Sequence, residues 1–180
     1  EIVRHFSFGL MNLGLKKGDV AAILSNTRLD WAAADMAILG AGAISVPVYA
    51  SSTAEDCAYI LNDCEAKILF VENQSQLTKI LGISAQIKKL EKIIVFDPFD
   101  SKILSTHHAL LSQEALIQLG KREESLDPLR FEKNLMGARP DDVFTIGYTS
   151  GTMGQPKGAD ITHDNMVSVL EDALKVLHSV

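Results

Sequence analysis

The sequence predicts an α/β fold in which a largely parallel sheet is flanked by helices on both faces. Short apolar runs alternate along the chain with longer amphipathic stretches, which is the pattern of repeated strand–helix–strand units. Glycines and helix-capping residues mark many of the boundaries between them. A cluster of glycines, hydroxyls and a lysine directly follows one apolar run, where parallel sheets carry their ligand-binding loops.

The first part of the chain shows these alternations most clearly. Residues 2–13 place apolar side chains at helical spacing, and a glycine turn leads into an apolar strand over 20–24. Small and apolar residues over 29–40 favour a helix packed closely on a sheet. A strand over 44–49 follows, and Pro47 indicates that it lies near a sheet edge or an irregularity.

Two further units follow at similar spacing. Ser52 and Glu55 have the spacing of a capping box, which predicts a helix that begins there and runs through Asn62. The next predicted elements are a strand over 67–72, a helix over 75–90 and a strand over 92–96.

The regular pattern stops after residue 96. Residues 97–142 are expected to be the most mobile part of the chain, with an amphipathic helix over 107–119. A buried strand is predicted over 143–148, and Thr162 is placed to cap a final helix over 163–177. Packing explains the apolar stripe of that helix.

Composition limits the possible functions. The chain has 180 residues, of which 47% are hydrophobic, enough for one globular domain with a substantial core, and it has no apolar run of transmembrane length. A net charge of −6 makes nucleic acid an unexpected partner. Cys57 and Cys64 would lie about 10 Å apart on one helix, too far to bond, and reduced thiols are typical of a cytoplasmic protein. The start of the chain shows no signal-peptide pattern.

Residues 148–158 carry the strongest chemical signal, reading Tyr-Thr-Ser-Gly-Thr-Met-Gly-Gln-Pro-Lys-Gly. Glycines let backbone N–H groups surround an anion, hydroxyls add donors, and a lysine adds positive charge. The order differs from the common P-loop, because Pro156 precedes Lys157 and Gly158 follows it. The cluster therefore predicts a polyphosphate-binding loop between a strand and a helix.

The same eleven residues closely resemble the phosphate loop of the adenylate-forming, or AMP-binding, superfamily, which includes acyl-CoA synthetases, luciferases and peptide-synthetase adenylation domains. One core position departs from the pattern, since Met153 stands where a second threonine is usual. The resemblance continues on both sides of the loop, through residues 139–142 and 162–165. It also covers the opening segments, of which residues 59–71 look most like the long-chain fatty-acid branch. Residues 97–138 lack a clear counterpart.

The resemblance implies an enzyme that uses ATP and Mg²⁺ to convert a carboxylic acid, here a fatty acid, to an acyl-adenylate and then transfers the acyl group to CoA. It implies that Lys157 is catalytic and assigns no metal-ligating residue. The residues implied in nucleotide binding are Thr149, Ser150, Gly151, Thr152, Gly154, Lys157 and Gly158.

The resemblance also implies that residues 1–180 are the N-terminal portion of an AMP-binding domain, without the C-terminal lid domain. Such a piece is expected to be inactive alone, to self-associate through uncovered apolar surface, and to be cytoplasmic, with peripheral membrane contact left open. An alternative is a non-catalytic nucleotide-binding or interaction module, a degenerate relative in which Met153 weakens ATP binding.

Other candidate residues have simpler interpretations. His107 and His108 are interpreted as solvated surface rather than metal ligands, because no third ligand lies at suitable spacing. His163 is interpreted as structural, and Trp31 as a packing residue, as is Tyr49. Tyr148 beside the loop is left open between packing and contact with a nucleotide.

Overall fold

The computed structural model describes residues 1–100, 102–103, 109–149 and 155–177. The α-helices are α1 (Ile2–Asn12), α2 (Leu29–Gly40), α3 (Ala54–Asp63), α4 (Gln74–Ile83), α5 (Gln113–Leu126), α6 (Arg130–Met136) and α7 (His163–Leu177). The strands are β1 (Val20–Leu24), β2 (Ile44–Val48), β3 (Ile68–Val71), β4 (Lys92–Val95), β5 (Leu110–Ser112), β6 (Val143–Thr149) and β7 (Lys157–Thr162).

The strands form a single sheet in the order β5-β4-β3-β1-β2-β6-β7. Neighbouring strands are parallel from β5 to β6, and only β6 and β7 pair antiparallel. The α/β prediction with a largely parallel sheet is therefore confirmed.

Each face of the sheet carries its own apolar core. Strand β1 illustrates the alternation, because Ala22 and Leu24 belong to one core while Ala21 and Ile23 belong to the other. Helices α3 and α4 contribute to the first core, and α1, α2 and α5 cover the second. Cys57 and Cys64 are both buried with free thiols, and burial raises the pKa of Cys64 to about 11.

Helices α1 and α5 approach each other very closely. A β-carbon at Gly120 would lie 1.8 Å from His5 O, and one at Gly9 would lie 2.6 Å from Leu116 O. Arg4 adds ion pairs to Glu124 on α5 and Glu132 on α6. The described part of residues 97–142 is thus largely regular structure, with β5 in the sheet and α5 packed on α1, and its predicted mobility stays a prediction.

The boundaries in this region also differ from the prediction. The expected helix over 107–119 is instead strand β5 followed by α5, which begins where Ser112 Oγ accepts a hydrogen bond from Ala115 N at 3.1 Å. All three residues of β5, Leu110, Leu111 and Ser112, pair with β4, and this long-range pairing overrides the local helical pattern. His107 and His108 lie outside the described residues.

Two other local predictions are corrected. Helix α3 begins one residue later than expected, because the capping box joins Thr53 and Asp56 rather than Ser52 and Glu55. Pro47 lies in an interior strand between β1 and β6, so the sheet edge is wrong, whereas the other predicted alternative, an irregularity, agrees with the short pairing to β6. Strand β2 is paired with β1 along its whole length. Its pairing with β6 is seen at Ser45, which precedes Pro47 in the strand.

The end of the described chain holds a strand that the sequence pattern did not reveal. Strand β7 separates the predicted phosphate loop from α7, whose N-terminus is capped by Thr162 as expected: Asn165 N donates to Thr162 Oγ1 at 3.2 Å. The apolar stripe of α7 is not packed within the described chain, since Val169 is 65% and Leu170 is 55% exposed. No helix in the described ranges is both long and apolar enough to cross a membrane.

Candidate functional site

The candidate site lies at the carboxyl ends of β1, β2 and β6. Helix α2 follows β1 and packs on one face of the sheet, whereas α3 follows β2 and packs on the other face. Where the chain leaves two adjacent parallel strands toward opposite faces of the sheet, a crevice opens between the ends of those strands. The ligands of α/β proteins usually bind in such a crevice.

Two adjoining clefts occupy this crevice. The larger has a volume of about 430 Å³ and the smaller about 300 Å³. Their shared wall consists of Pro47, Val48, Tyr49, Tyr148 and Thr149. The larger cleft adds Ser52, Asp56, Ile60 and Pro156, and the smaller adds Ser25, Thr27, Trp31 and Gly147.

The predicted phosphate loop joins β6 and β7 at the edge of these clefts. Thr149 pairs with Lys157 in the antiparallel register, so the two residues are direct neighbours. Thr149 and Pro156 line the larger cleft. The predicted loop residues Ser150, Gly151, Thr152 and Gly154, and the substitution at Met153, lie outside the described residues.

Lys157 is the first residue of β7 and is exposed. Among the described residues, no hydrogen bond or ion pair joins its ammonium group to another side chain. The loop is therefore a β-hairpin connection, and the expected strand-to-helix arrangement is wrong. The six residues from Lys157 to Thr162 span about 17 Å of strand. This length places the N-terminus of α7 too far away to act on the loop.

Gly158 lies close to the Tyr148 ring, where a side chain would be tightly packed. A β-carbon at Gly158 would lie 3.1 Å from Tyr148 Cζ and 3.0 Å from Ile146 Cγ2. Tyr148 packs against the core and also forms part of the cleft wall, and its contact with a nucleotide stays a prediction. Burial and a hydrogen bond to Asp63 raise the pKa of the Tyr148 hydroxyl, which keeps it protonated and able to donate.

Two further hydrogen bonds connect the strands of the site with α2. Thr145 Oγ1 donates to Ser45 O at 2.7 Å, and Ser45 Oγ donates to Asp35 Oδ1 at 2.6 Å. Burial raises the pKa of Asp35 despite this hydrogen bond. The link ties β6 to β2 and β2 to α2, and so fixes the strand that carries the loop relative to the cleft.

The segment after β2 is held by α4. Gln76 Nε2 donates to Ala50 O at 2.9 Å, and Lys79 Nζ donates to Ser52 O at 2.8 Å. These contacts support the wall of the larger cleft. No sequence pattern indicates them, because both are contacts between a helix side chain and the backbone of a distant loop.

The aromatic residues of the clefts differ in their packing. Trp31 packs against the core that α1, α2 and α5 cover, and also lines the smaller cleft. Tyr49 is 76% exposed in the cleft wall, so it is not a core residue. His163 is structural as expected, since its backbone N donates to Asp142 O at 3.1 Å and its ring meets Phe144 edge-on.

The described residues do not bring three carboxylate, histidine or cysteine side chains together at a metal-binding distance. Asp56 is the one carboxylate in the lining of the larger cleft, as far as the described residues show, and it is engaged with Thr53. These residues by themselves do not fit a protein-held metal ion, which needs several oxygen ligands.

The chain belongs to the AMP-binding enzyme family, whose profile matches residues 1–178. Among curated proteins it is 35% identical over 171 residues to a long-chain-fatty-acid–CoA ligase, FadD15, of Mycobacterium bovis. It is 34% identical over 166 residues to the long-chain-fatty-acid–CoA ligase ACSBG2 of Xenopus laevis. These alignments cover 95% and 92% of this chain but only 26% and 22% of the two relatives.

Solved structures show the same fold. The anthranilate CoA ligase AuaEII, crystallised with anthranoyl-AMP, superimposes with a TM-score of 0.75 at 25% identity, over 90% of this chain and 28% of that protein. A long-chain-fatty-acid–CoA ligase of Archaeoglobus fulgidus gives 0.71 at 20% identity, over 93% and 30%. The chain thus spans about a quarter of the length of the curated relatives quoted above.

Proposed function

We propose that this chain contributes the triphosphate-binding part of an AMP-forming acyl-CoA synthetase. The observation that carries the proposal is that Thr149, which lines the larger cleft, pairs with Lys157 across the two ends of a glycine-rich loop. Family membership supports the same reaction class. The whole protein would use ATP to activate a carboxylic acid and then form a thioester with CoA.

The reaction needs positive charge and hydrogen-bond donors beside the phosphates. A carboxylate that attacks the α-phosphorus of ATP brings one anion toward another, and the pyrophosphate that leaves carries further negative charge. Lys157 would bind the β- and γ-phosphates, together with the hydroxyls of Thr149, Ser150 and Thr152 and the backbone of Gly151, Gly154 and Gly158. Donors already in place stabilise the charge that develops on the leaving group.

Mg²⁺ would enter the site as part of MgATP, held mainly by the phosphates. This suits an ion that keeps water and phosphate ligands and needs few protein oxygens. It also suits the absence of a metal-binding cluster among the residues that the structure describes.

We propose a fatty acid as the carboxylate substrate, because the curated relatives described above are long-chain-fatty-acid–CoA ligases. We further propose that residues 1–180 are the N-terminal part of the AMP-binding domain of a longer, cytoplasmic protein, with the lid domain elsewhere. The isolated chain would then lack catalysis and would self-associate through the exposed face of α7. Peripheral membrane contact is compatible with this picture.

The second candidate function is a non-catalytic nucleotide-binding or interaction module. Met153 favours it, because the substitution removes one hydroxyl from the phosphate loop. A module of this kind would bind nucleotide weakly and would show no acid-dependent turnover even as the complete protein.

Calorimetric titration of the 180-residue chain with MgATP and with inorganic tripolyphosphate tests the proposed site. We expect both ligands to bind, and Gly151→Val to abolish binding because a branched side chain obstructs the approach of the backbone to phosphate. Equal affinity of Gly151→Val and the unmodified chain would contradict the assignment of the loop.

A further inference from the structure

Asp63, the last residue of α3, links that helix to the strand that leads into the loop. Tyr148 Oη donates a hydrogen bond of 2.6 Å to Asp63 Oδ2, across 85 positions of the chain. A hydroxyl–carboxylate hydrogen bond of this length is charge-assisted and stronger than a bond between neutral groups. It therefore joins α3 to β6 by a directional contact in addition to apolar packing.

One face of α3 is turned toward the site. Asp56 and Ile60 line the larger cleft, and Asp63 lies seven residues after Asp56 and three after Ile60. Residues at these spacings share a helix face. The helix that walls the cleft is thus the same element that holds Tyr148.

The Tyr148 ring lies in turn against the backbone of the partner strand. Tyr148 is paired with Gly158, and the next pair, Thr149 with Lys157, is the last before the loop. A β-carbon at Gly158 would meet the Tyr148 ring at 3.1 Å, so glycine lets the ring cross β7 at this point. We call the four residues of these two pairs, Tyr148, Thr149, Lys157 and Gly158, the hairpin base.

We propose that Asp63 is a positioning residue for the phosphate loop. Acting through Tyr148, it holds the hairpin base so that Thr149 and Lys157 lie together at the cleft edge. Asp63 does not itself contact phosphate, because a carboxylate repels an anion and has no donor to offer it. The inference rests on the proposed function, since it assigns the loop to a triphosphate.

The test compares Tyr148→Phe, Asp63→Ala and Asp63→Asn with the unmodified 180-residue chain. Glu55→Ala is the matched control, an exposed acidic residue of the same helix, away from the hairpin. Hydrogen exchange followed by mass spectrometry reports on residues 148–158, and calorimetry gives the Kd for MgATP and for tripolyphosphate. All measurements are made at a temperature at which circular dichroism shows each variant folded.

We expect Tyr148→Phe and Asp63→Ala to accelerate exchange at the hairpin about tenfold and to raise both Kd values about fivefold, with the double variant no worse than either single one. Asp63→Asn should fall between Asp63→Ala and the unmodified chain, because its amide oxygen still accepts from Tyr148 but the bond is no longer charge-assisted. A purely structural role would lower the melting temperature and leave Kd unchanged in the folded variants.

Unchanged exchange and Kd in Tyr148→Phe would overturn the inference, and so would equal damage by Asp63→Asn and Asp63→Ala. Tyr148→Phe keeps the aromatic ring and removes only the hydroxyl, so it tests the role of the hydrogen bond even if Asp63→Ala does not fold. Failure of the unmodified chain to bind either ligand would instead refute the proposed phosphate site. Hydrogen exchange would then still show whether Asp63 holds the hairpin.

Discussion

Lys157 and Gly158 are neighbours in the sequence, yet the fold uses them differently. Lys157 is exposed at the end of the loop, where its charge can meet a ligand, whereas Gly158 makes room for the Tyr148 ring. The sequence motif predicted both positions but assigned both to the loop itself. The role of Gly158 depends on its cross-strand partner, which the motif alone does not reveal.

Lys157→Ala should weaken the binding of MgATP and tripolyphosphate to the chain about tenfold or more, because it removes the charged donor from the hairpin. Adenosine, which carries no phosphate, should bind equally to both forms. Lys121→Ala, at an exposed position on α5, serves as the control. A loss of affinity in the control as large as in Lys157→Ala would show that overall charge, not the site, is responsible.

Met153→Thr should strengthen nucleotide binding by as much as about tenfold, because it restores a hydroxyl that can donate to a phosphate oxygen. Met153→Ala separates this effect from the removal of bulk. Calorimetric Kd values for MgATP provide the comparison. Equal affinities of the threonine and alanine variants would show that the hydroxyl at this position has no part in binding.

At the level of elements, the sequence predicted the repeated units well and the segment around the loop poorly. Strand β1 and helix α2 follow from apolar runs and glycine boundaries that are local features. Strands β5 and β7 were missed because they are short or largely exposed, and pairing with β4 and β6 defines them. Local periodicity carries no information about such partners.

The contact between α1 and α5 gives a sharp test of packing. Gly120→Ala should destabilise the chain by about 2 kcal/mol or more, because the added methyl group overlaps the backbone of His5. Gly82→Ala in α4 is the matched control, since no atom lies within 4 Å of a β-carbon there, and it should stabilise by about 0.5–1 kcal/mol. Urea denaturation measures both changes; equal effects would contradict the close helix contact.

At the scale of the whole molecule, both faces of the sheet are covered by helices, but the end of the sheet at β7 is less enclosed. Strand β7 is mainly exposed, and α7 exposes Val167, Val169, Leu170 and Leu174. An apolar patch of this kind is unusual on a protein that remains monomeric. The patch is therefore expected to be covered by other protein.

Leu170→Glu should shift the isolated chain toward monomer in sedimentation velocity, because it places a charge in the exposed face of α7. Ser168→Glu adds the same charge on the same helix outside the apolar stripe and should leave self-association unchanged. An unmodified chain that sediments as a single monomer at high concentration would argue against self-association through α7.

We propose the hairpin at Thr149 and Lys157 as the triphosphate site of a fatty-acid-activating enzyme. Fatty-acid-dependent exchange of labelled pyrophosphate into ATP by the complete protein, with and without the Lys157→Ala substitution, tests this proposal. We expect exchange that requires a fatty acid and falls at least tenfold in the variant. Exchange at an equal rate in the variant, or no exchange with any fatty acid, would refute the proposal.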